Sequence, residues 1–261
     1  MNNMLDKTAV CLVANFKYLY KNFPRMYKQI RNVGKYNGEI LVITSLLCPT
    51  FLIKFLRKNN NVSILRFKKI KFDKKTELKL SNLNLGSNRH VNKNFQWQKL
   101  YLFDKKIKKW NYIFYLDINM YIHHDIRPIL DVKPINELLA RADGYPNYEW
   151  KLSSQFDTSD ILYSDLCEIY DMEINNYFQT GVMYFDTKII NKQTFKEIME
   201  LTTNYPITIT NEQGILNLYF IFVKNNYRQL VEKVNGKISY FYWMLNDQEV
   251  IISKAMTTKN K

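Results

Sequence analysis

The stretch NYIFYLDINMYIHHDIRPIL, residues 111 to 130, changes character in its middle. Residues 112–116 are apolar or aromatic, as in a buried strand, and Asp117 follows at once, with Asn119 two positions later. Open α/β sheets bind their ligands at the carboxyl ends of strands, because the chain leaves the sheet there and side chains meet solvent. The stretch therefore predicts a strand that delivers Asp117 to a ligand site, unless Asp117 merely caps the next turn.

Apolar runs and helical segments alternate on the amino-terminal side of this strand. Three further strands are predicted at 8–16, 38–46 and 61–67, and helices at 23 or 24 to 33, with Pro24 in the first turn, and at 49–57. This alternation is typical of a mostly parallel sheet with helices on both faces.

The carboxyl-terminal half continues the α/β pattern. Helical spacing is found in 92–109, a short strand is predicted in 143–150, and a strand interrupted by Gly181 is predicted at 177–187. Helices follow at 192–205 and at 210–222, the second capped by Thr210 or Asn211, and strands or loop pieces of the last 40 residues pack on the main sheet. No low-complexity linker divides the chain, which predicts one domain over residues 1–261.

Composition indicates a folded protein with an anionic partner. Hydrophobic residues make up 46% of the 261 residues, and 38 Lys and Arg against 24 Asp and Glu give a formal charge of +14. Neither a dinucleotide fingerprint nor a P-loop sequence is present. The lysine-rich stretches 66–75 and 104–110 are typical of solvated faces, and no nucleic-acid-binding signature accompanies them.

The cysteines and the hydrophobic runs indicate the cellular compartment in which the protein is expected. Cys11, Cys48 and Cys167 match no metal-ligand spacing, and Cys11 lies in an apolar run, which favours a reducing compartment without disulfides. No signal peptide is recognisable, and no stretch reaches the roughly 20 apolar residues of a membrane span. We expect a soluble, cytoplasmic protein.

Five stretches, in order, resemble the glycogenin-like glycosyltransferases of family 8: VANFKYLY, WQKLYLF, FYLDINM, YFQTGVMYF and TNEQGILNLYF. The resemblance implies a single-domain GT-A fold, with a nucleotide-binding half at about 1–120 and a sugar and acceptor half at about 121–261. It also implies transfer of a hexose or N-acetylhexosamine from a UDP-sugar to a glycan, protein or small acceptor, with retention. Mn²⁺ or Mg²⁺ would assist, and a homodimer is possible.

The same resemblance assigns roles to individual residues. Around the nucleotide and its phosphates it implies Asn15, Tyr18, Lys99, Arg89 and Asp117. For the metal it implies Asp117 and Asn119, for the donor sugar Asp143 and Gly181, and at the reacting centre Glu212, Gln213 and Gln179. Basic side chains could instead stabilise the departing phosphate: Lys99 is the first candidate, Arg89 or Lys93 the second and Lys254 the third.

The sequence also departs from the family pattern. Asp-x-Asp is here Asp117-x-Asn119, Gln179 replaces an Asn, and Glu212 replaces an Asp. The family's carboxyl-terminal His-x-x-Gly-x-x-Lys-Pro-Trp is absent, so its histidine ligand has no counterpart; His123 and His124 are expected to be exposed or structural.

Several of these residues could instead have an ordinary structural role. Lys99 would then be an exposed helix lysine, Glu212 a helix cap, Asp143 a turn residue, and Gly181 part of a bulge. For the whole chain, the alternatives are a non-catalytic relative that binds nucleotide sugar, and a basic nucleic-acid-binding protein.

Overall fold

The computed structural model describes residues 7–83, 95–243 and 247–254. Within these residues the strands are β1 Thr8–Val13, β2 Glu39–Ser45, β3 Val62–Phe67, β4 Tyr112–Leu116, β5 Met120–Ile122, β6 Leu138–Ala142, β7 Phe178–Asp186, β8 Tyr227–Gln229, β9 Lys233–Val234, β10 Lys237–Phe241 and β11 Val250–Lys254. Seven of them form a central sheet in the order β3-β2-β1-β4-β7-β6-β8.

The first four strands of this sheet run parallel, as the sequence predicts. β1 pairs in parallel with β2 and β4, and β2 with β3, whereas β7 runs antiparallel to both β4 and β6. The amino end of β7 therefore meets the carboxyl end of β4, where Leu116 pairs with Val182. One residue further along, the backbone N–H of Asp117 donates to the carbonyl of Gly181 at 2.9 Å.

A second, smaller sheet has the order β5-β11-β10-β9. It starts just past the Asp117 turn, since β5 begins at Met120, and β11 pairs antiparallel with β5 so that Lys254 lies opposite Met120. Tyr240 and Ile252 from this sheet belong to the same buried cluster as Val182 of the central sheet. The late strands therefore pack on the main sheet, as predicted, and also bring residue 254 back to the Asp117 turn.

The α-helices are α1 Phe16–Lys28, α2 Thr50–Arg57, α3 Lys74–Asn82, α4 Arg127–Leu130, α5 Ile161–Ile169, α6 Thr194–Asn204 and α7 Glu212–Asn217. α1 continues into a wider π-helical turn over 29–33, and α7 into one over 218–223; residues 96–103 and 105–109 form 3₁₀ helices. No helix of the described residues is long and apolar enough to span a membrane.

Three local predictions were wrong. α1 starts at Phe16 rather than near Pro24, because the Asn15 side chain accepts a hydrogen bond from the N–H of Tyr18 at 3.0 Å and caps the helix there, with Pro24 inside it. Residues 143–150 form turns and not a strand. No side chain caps α7: Asn211 stands before it with a φ of 58° and makes no capping hydrogen bond.

Helices and strands form two apolar cores, one on each face of the sheet. Alternate residues of β1 point to opposite faces: Cys11 packs in the core that contains Trp97 and Phe103, and Leu12 in the core that contains Phe23. Both faces of the parallel strands are therefore covered, as the continuous apolar sequence of these strands requires. All three cysteines are free, Cys11 and Cys48 buried and Cys167 exposed.

Candidate functional site

A cavity of about 370 Å³ opens beside the carboxyl end of β4. Its lining residues come from the 3₁₀ helix 96–103, the β4–β5 turn, the loops after β6, the start of β7, the start of α7 and the small sheet. They are Gln96, Lys99, Asp117, Asp143, Trp150, Ser154, Gln155, Gln179, Thr180, Gly181, Thr210, Asn211, Glu212, Gln213, Tyr242, Trp243 and Lys254. Most of the predicted site residues are therefore brought to one place.

Lys99 is the charged centre of this cavity. Its side chain is 9% exposed, and its Nζ lies 2.8 Å from Glu212 Oε1 and 3.1 Å from Asp117 Oδ1. Burial lowers the pKa of Lys99, but the charges of Asp117 and Glu212 outweigh it and hold that pKa above its usual value. The alternative that Lys99 is an exposed helix lysine is wrong.

Asp117 is anchored through one of its two carboxylate oxygens. Oδ1 contacts the Lys99 ammonium and accepts a hydrogen bond from the Tyr115 hydroxyl. Burial and the Asp117 charge raise the pKa of Tyr115, so its hydroxyl stays protonated and donating. Both contacts involve Oδ1, which leaves Oδ2 as the oxygen open to a ligand as far as the described residues show. The turn itself is closed by backbone, with Met120 N–H donating to the Asp117 carbonyl at 2.9 Å.

Glu212 is the buried partner of Lys99 at the start of α7. It is 2% exposed, and its Oε1 also accepts a hydrogen bond from Thr180 Oγ1 at 3.0 Å. Its Oε2 is buried and has no hydrogen-bond partner within the described part of the chain. A buried carboxylate oxygen left without a donor is unfavourable by about 1–3 kcal/mol, which a bound hydroxyl would offset.

The residue before Glu212 is in an unusual conformation. Asn211 has φ 58° and ψ −125°, a combination that non-glycine residues rarely adopt. Its side-chain amide donates to Gln96, and its carbonyl accepts from Thr208 Oγ1 at 2.9 Å. These contacts hold the strained turn and thereby direct Glu212 inward.

A network of amide groups fixes Asp143. The Gln213 Nε2 donates to Asp143 Oδ2 at 3.1 Å and to Gln155 Oε1 at 2.8 Å, and its Oε1 accepts from the Thr180 N–H at 3.1 Å. The Gln155 Nε2 lies 3.4 Å from Asp143 Oδ2 and 3.3 Å from the Tyr177 hydroxyl. Burial, and then the charge of Asp143, raise the pKa of Tyr177 to about 12.

Gly181 lies in a bulge of β7. The register of β7 against β6 shifts between the pairs Ala140↔Met183 and Ala142↔Phe178. Residues of β7 between these two pairs, Gly181 among them, have no partner on β6 and form the bulge. A Cβ on Gly181 would stand 2.5 Å from Met120 Cε and 2.8 Å from the Tyr240 hydroxyl. The bulge alternative is thus correct. Next to it, Gln179 accepts a hydrogen bond from the buried Tyr240 hydroxyl.

Some predicted residues lie elsewhere. Asn15 and Tyr18 follow the carboxyl end of β1 but do not line the cavity; Asn15 caps α1, and the Tyr18 side chain is exposed. Asn119, the second predicted metal ligand, is half-buried in the turn between β4 and β5 and is not among the lining residues either. Arg89 and Lys93 lie outside the described residues. His123 and His124 are structural, as expected, and bond to Ser253 Oγ and the carbonyl of Asp247.

The lining residues to which the sequence analysis gave no site role are three aromatic residues and six with amide or hydroxyl groups: Trp150, Tyr242, Trp243, Gln96, Ser154, Gln155, Thr180, Thr210 and Asn211. Thr180, Thr210 and Asn211 lie within stretches that resemble the family, but the resemblance implies no site role for them. The others lie outside those stretches, and only the fold brings them to the cavity. Lys254, the last of the predicted lysine alternatives, does line the cavity and donates to the Tyr242 hydroxyl at 2.8 Å.

The acidic groups do not form a metal cage by themselves. No cluster of three or more His, Cys, Asp or Glu side chains suited to a metal occurs in residues 7–83, 95–243 and 247–254. Two lysines and three carboxylates line the cavity, a formal charge of −1. Asp117 could therefore hold an ion only with further ligands supplied by a substrate or water.

A larger and more open hollow of about 870 Å³ lies at the opposite, amino end of the parallel strands. It is lined by Thr8, Glu39 and Val62 from the strand starts and by Arg57 and Arg127. Open α/β sheets bind ligands at the carboxyl ends of their strands, whereas the larger hollow lies at the amino ends. The smaller cavity is therefore the candidate site.

Several solved structures share this architecture. The galactosyltransferase LgtC, solved with donor and acceptor sugar analogs, matches with a TM-score of 0.59 at 13% identity, over 96% of this chain and 87% of its own. The bifunctional glycosyltransferase WbbM matches with a TM-score of 0.54 at 18% identity. Mouse xyloside xylosyltransferase 1 matches with a TM-score of 0.51 at 10% identity. The chain has the GT-A fold.

The extent of these matches differs. The match with WbbM covers 88% of this chain and 40% of that one, whereas the match with the mouse enzyme covers 96% and 98%. No protein-family model and no curated protein matches the sequence. Identities this low establish the fold, and the activity has to be argued from the site.

Proposed function

We propose that this protein transfers a hexose or N-acetylhexosamine from a UDP-sugar to a glycan, a protein or a small acceptor, with retention of anomeric configuration. One observation supports this most: at the carboxyl edge of a GT-A sheet, the buried Lys99 joins Asp117 and Glu212 beside a polar cavity. A carboxylate at that edge, held by a buried cation, is suited to bind a divalent ion, which would stabilise an anionic leaving group.

The size of the cavity indicates which parts of a nucleotide-sugar donor it can hold. Its volume of about 370 Å³ is near the lower end of ligand sites, about 300–1,000 Å³. We assign the sugar and diphosphate to this cavity and the base to the carboxyl end of β1, where the Tyr18 ring is exposed next to Asn15.

The charge of the site favours a divalent ion that arrives with the donor. A diphosphate would bring two negative charges to a lining whose formal charge is already −1. Mg²⁺ is usually bound in proteins by one or two carboxylates together with substrate phosphates, and Mn²⁺ suits the same oxygen ligands. Asp117 Oδ2 and the Asn119 side-chain oxygen are the proposed protein ligands. When bound, such an ion stabilises the charge that develops on the departing diphosphate.

The reaction breaks the bond between the anomeric carbon and a diphosphate oxygen, and the electron pair leaves with the diphosphate. An acceptor hydroxyl oxygen forms the new bond on the same face, and its proton passes to a diphosphate oxygen. In this scheme Glu212 Oε2 accepts a hydrogen bond from a donor-sugar hydroxyl. Gln213, whose amide is fixed at both ends, keeps Asp143 aimed at the sugar, and Gln179 and Gly181 shape the wall beside the anomeric carbon.

A thermal-shift panel tests the proposal directly. UDP-, GDP-, ADP- and CDP-sugars are each added with Mn²⁺, Mg²⁺ or a chelator. A ligand that binds only the folded state at about 100 times its Kd stabilises it by about 2.7 kcal/mol. We expect a shift with a UDP-sugar and metal that the chelator removes. No shift with any nucleotide sugar would reject the proposal.

Two further measurements separate the alternatives. A relative that has lost catalysis would show the thermal shift, but neither transfer nor slow hydrolysis of the donor. A nucleic-acid-binding protein would bind oligonucleotides with an affinity that falls steeply with salt, irrespective of uridine.

A further inference from the structure

The cavity has two exposed indole rings on its lining. Trp150 is 46% exposed and Trp243 is 44% exposed, whereas Trp97 and Trp110 are buried in the core at 5% and 2%. Single exposed apolar side chains are ordinary on protein surfaces. Here both exposed tryptophans of the described residues border the same polar cavity, which packing alone does not explain.

The two rings come from different parts of the fold. Trp150 ends the turn-rich segment that begins at Asp143, just after β6. Trp243 follows β10 of the small sheet, with its ring 4.9 Å from that of Tyr242 in an edge-on arrangement. Although it contacts Tyr242, the Trp243 side chain is still 44% exposed beside the cavity.

The remaining lining has the chemistry that complements sugars. Gln96, Ser154, Gln155 and Asn211 offer uncharged donors and acceptors. A pyranose has hydroxyl groups around its rim and C–H groups on its faces, so amides and hydroxyls suit its rim and an aromatic face suits its C–H face. The formal charge of −1 on the lining disfavours acceptors that carry carboxylate or phosphate.

We propose that Trp150 and Trp243 form the acceptor subsite, and that the acceptor is a neutral pyranose that stacks on these indoles. This rests on the proposed function, since the acceptor hydroxyl has to reach the anomeric carbon of a donor held in the same cavity. Both rings are positioned to contact substrate without belonging to the group around Lys99.

Fluorescence quenching tests the subsite without turnover. Acrylamide quenches accessible tryptophans, here Trp150 and Trp243. The probes are the methyl glycosides of galactose, glucose and N-acetylglucosamine, and lactose, each with UDP and Mn²⁺. We expect at least one glycoside to reduce quenching in the native protein, but not in the Trp150→Ala/Trp243→Ala double variant. If none of the four reduces quenching, the subsite is rejected.

Kinetics with the protecting glycoside then separate acceptor from donor effects. The double variant should raise the acceptor KM about tenfold or more, with the donor KM and donor hydrolysis unchanged. Trp150→Tyr and Trp243→Tyr should restore much of the affinity because they keep an aromatic face. Phe51→Ala, at a 65% exposed ring on α2 away from the cavity, is the control and should change neither constant. An unchanged acceptor KM in the double variant would overturn the proposal.

The outcomes also distinguish this inference from the proposed function. Protection by a glycoside in a protein that neither transfers nor hydrolyses any donor supports the subsite and rejects the proposed function. Transfer that proceeds equally well without both indoles rejects the subsite and supports the proposed function.

Discussion

The Nζ of Lys99 lies 2.8 Å from Glu212 Oε1, inside a site where neither side chain is more than 9% exposed. The same ammonium lies 3.1 Å from Asp117, so one buried cation connects the end of β4 to the start of α7. Removing one member of a buried ion pair leaves a buried charge without a partner. This loss of folding stability exceeds the net stability that the intact pair contributes.

Replacing Lys99 should therefore destabilise the whole fold. We expect Lys99→Met to lower the free energy of unfolding by about 3–5 kcal/mol, because Glu212 and Asp117 would be left facing each other without a cation. Urea denaturation at pH 7 measures this loss. Adding Glu212→Gln to Lys99→Met should recover part of it, because one of the two unpaired charges is then removed.

The control is an ion pair of similar geometry nearer the surface. Lys79 lies 2.7 Å from Asp160 with more exposed side chains, so Lys79→Met should lower stability by only about 0–1 kcal/mol. Equal losses of unfolding free energy in Lys99→Met and Lys79→Met would contradict the prediction that the buried Lys99 pair matters more to stability.

Asp117 should be required for donor binding with metal. Asp117→Asn keeps the size of the side chain but removes its charge, so we expect transfer to fall by about 10²–10³-fold, as when one electrostatic stabiliser is removed from an active site. The metal-dependent thermal shift should disappear as well. Asp125→Asn, which alters an exposed pair with Arg127, is the matched control. An Asp117→Asn variant that still transfers sugar at the native rate would show that the site is misassigned.

Gly181 should tolerate no side chain. The methyl group of Gly181→Ala would collide with Met120 Cε and the Tyr240 hydroxyl, and although Met120 can move, Tyr240 is fully buried and bonded to Gln179. Overpacking of this kind typically reduces stability by about 1–3 kcal/mol, which calorimetry would detect. Gly236→Asn is the comparison: Gly236 has a φ of 77° with open space around it, and Asn accepts such a φ better than other side chains. A Gly181→Ala protein as stable as the native one would refute the close packing.

His123 should make stability fall in mild acid. Burial lowers the pKa of His123, although Asp247 opposes this and His124 reinforces it. The unfolded chain then takes up a proton first as the pH drops below about 6.5, so the stabilising contribution is present above that pH and lost below it. Unfolding free energies of native and His123→Gln proteins between pH 8 and 5 should converge on acidification. His124→Gln serves as the control, and parallel curves for native and His123→Gln would disprove the prediction.

Much of the framework could be predicted from the sequence. Strands β1 to β4 follow from short apolar, β-branched runs between turn residues, because those runs have to be buried on both faces of a parallel sheet. The position of Asp117 follows in the same way, since it immediately succeeds such a run. Lys99 and Glu212 were identified only through their resemblance to a family, because isolated charged residues near helices carry no specific signal.

The rest depends on contacts between distant segments. The amides of Gln155 and Gln213 meet around Asp143 only after three segments that are distant in sequence have packed together. The sequence misplaces the start of α1, because a proline is typical of a first helical turn, whereas the Asn15 cap lies about two turns before Pro24. Trp150 and Trp243 become neighbours of one cavity through the packing of two sheets, which no local pattern encodes.

The pairing of β5 with β11 also sets an order of events during synthesis. Met120 and the Asp117 turn leave the ribosome long before their partner strand, which ends at Lys254. At about 5–20 residues per second the intervening segment takes about 7–27 seconds to make. Over that interval the nascent chain has the strand that ends at Asp117 but lacks the small-sheet wall with Tyr242, Trp243 and Lys254. The site is therefore completed only after β11 has been made, well after the strand that delivers Asp117.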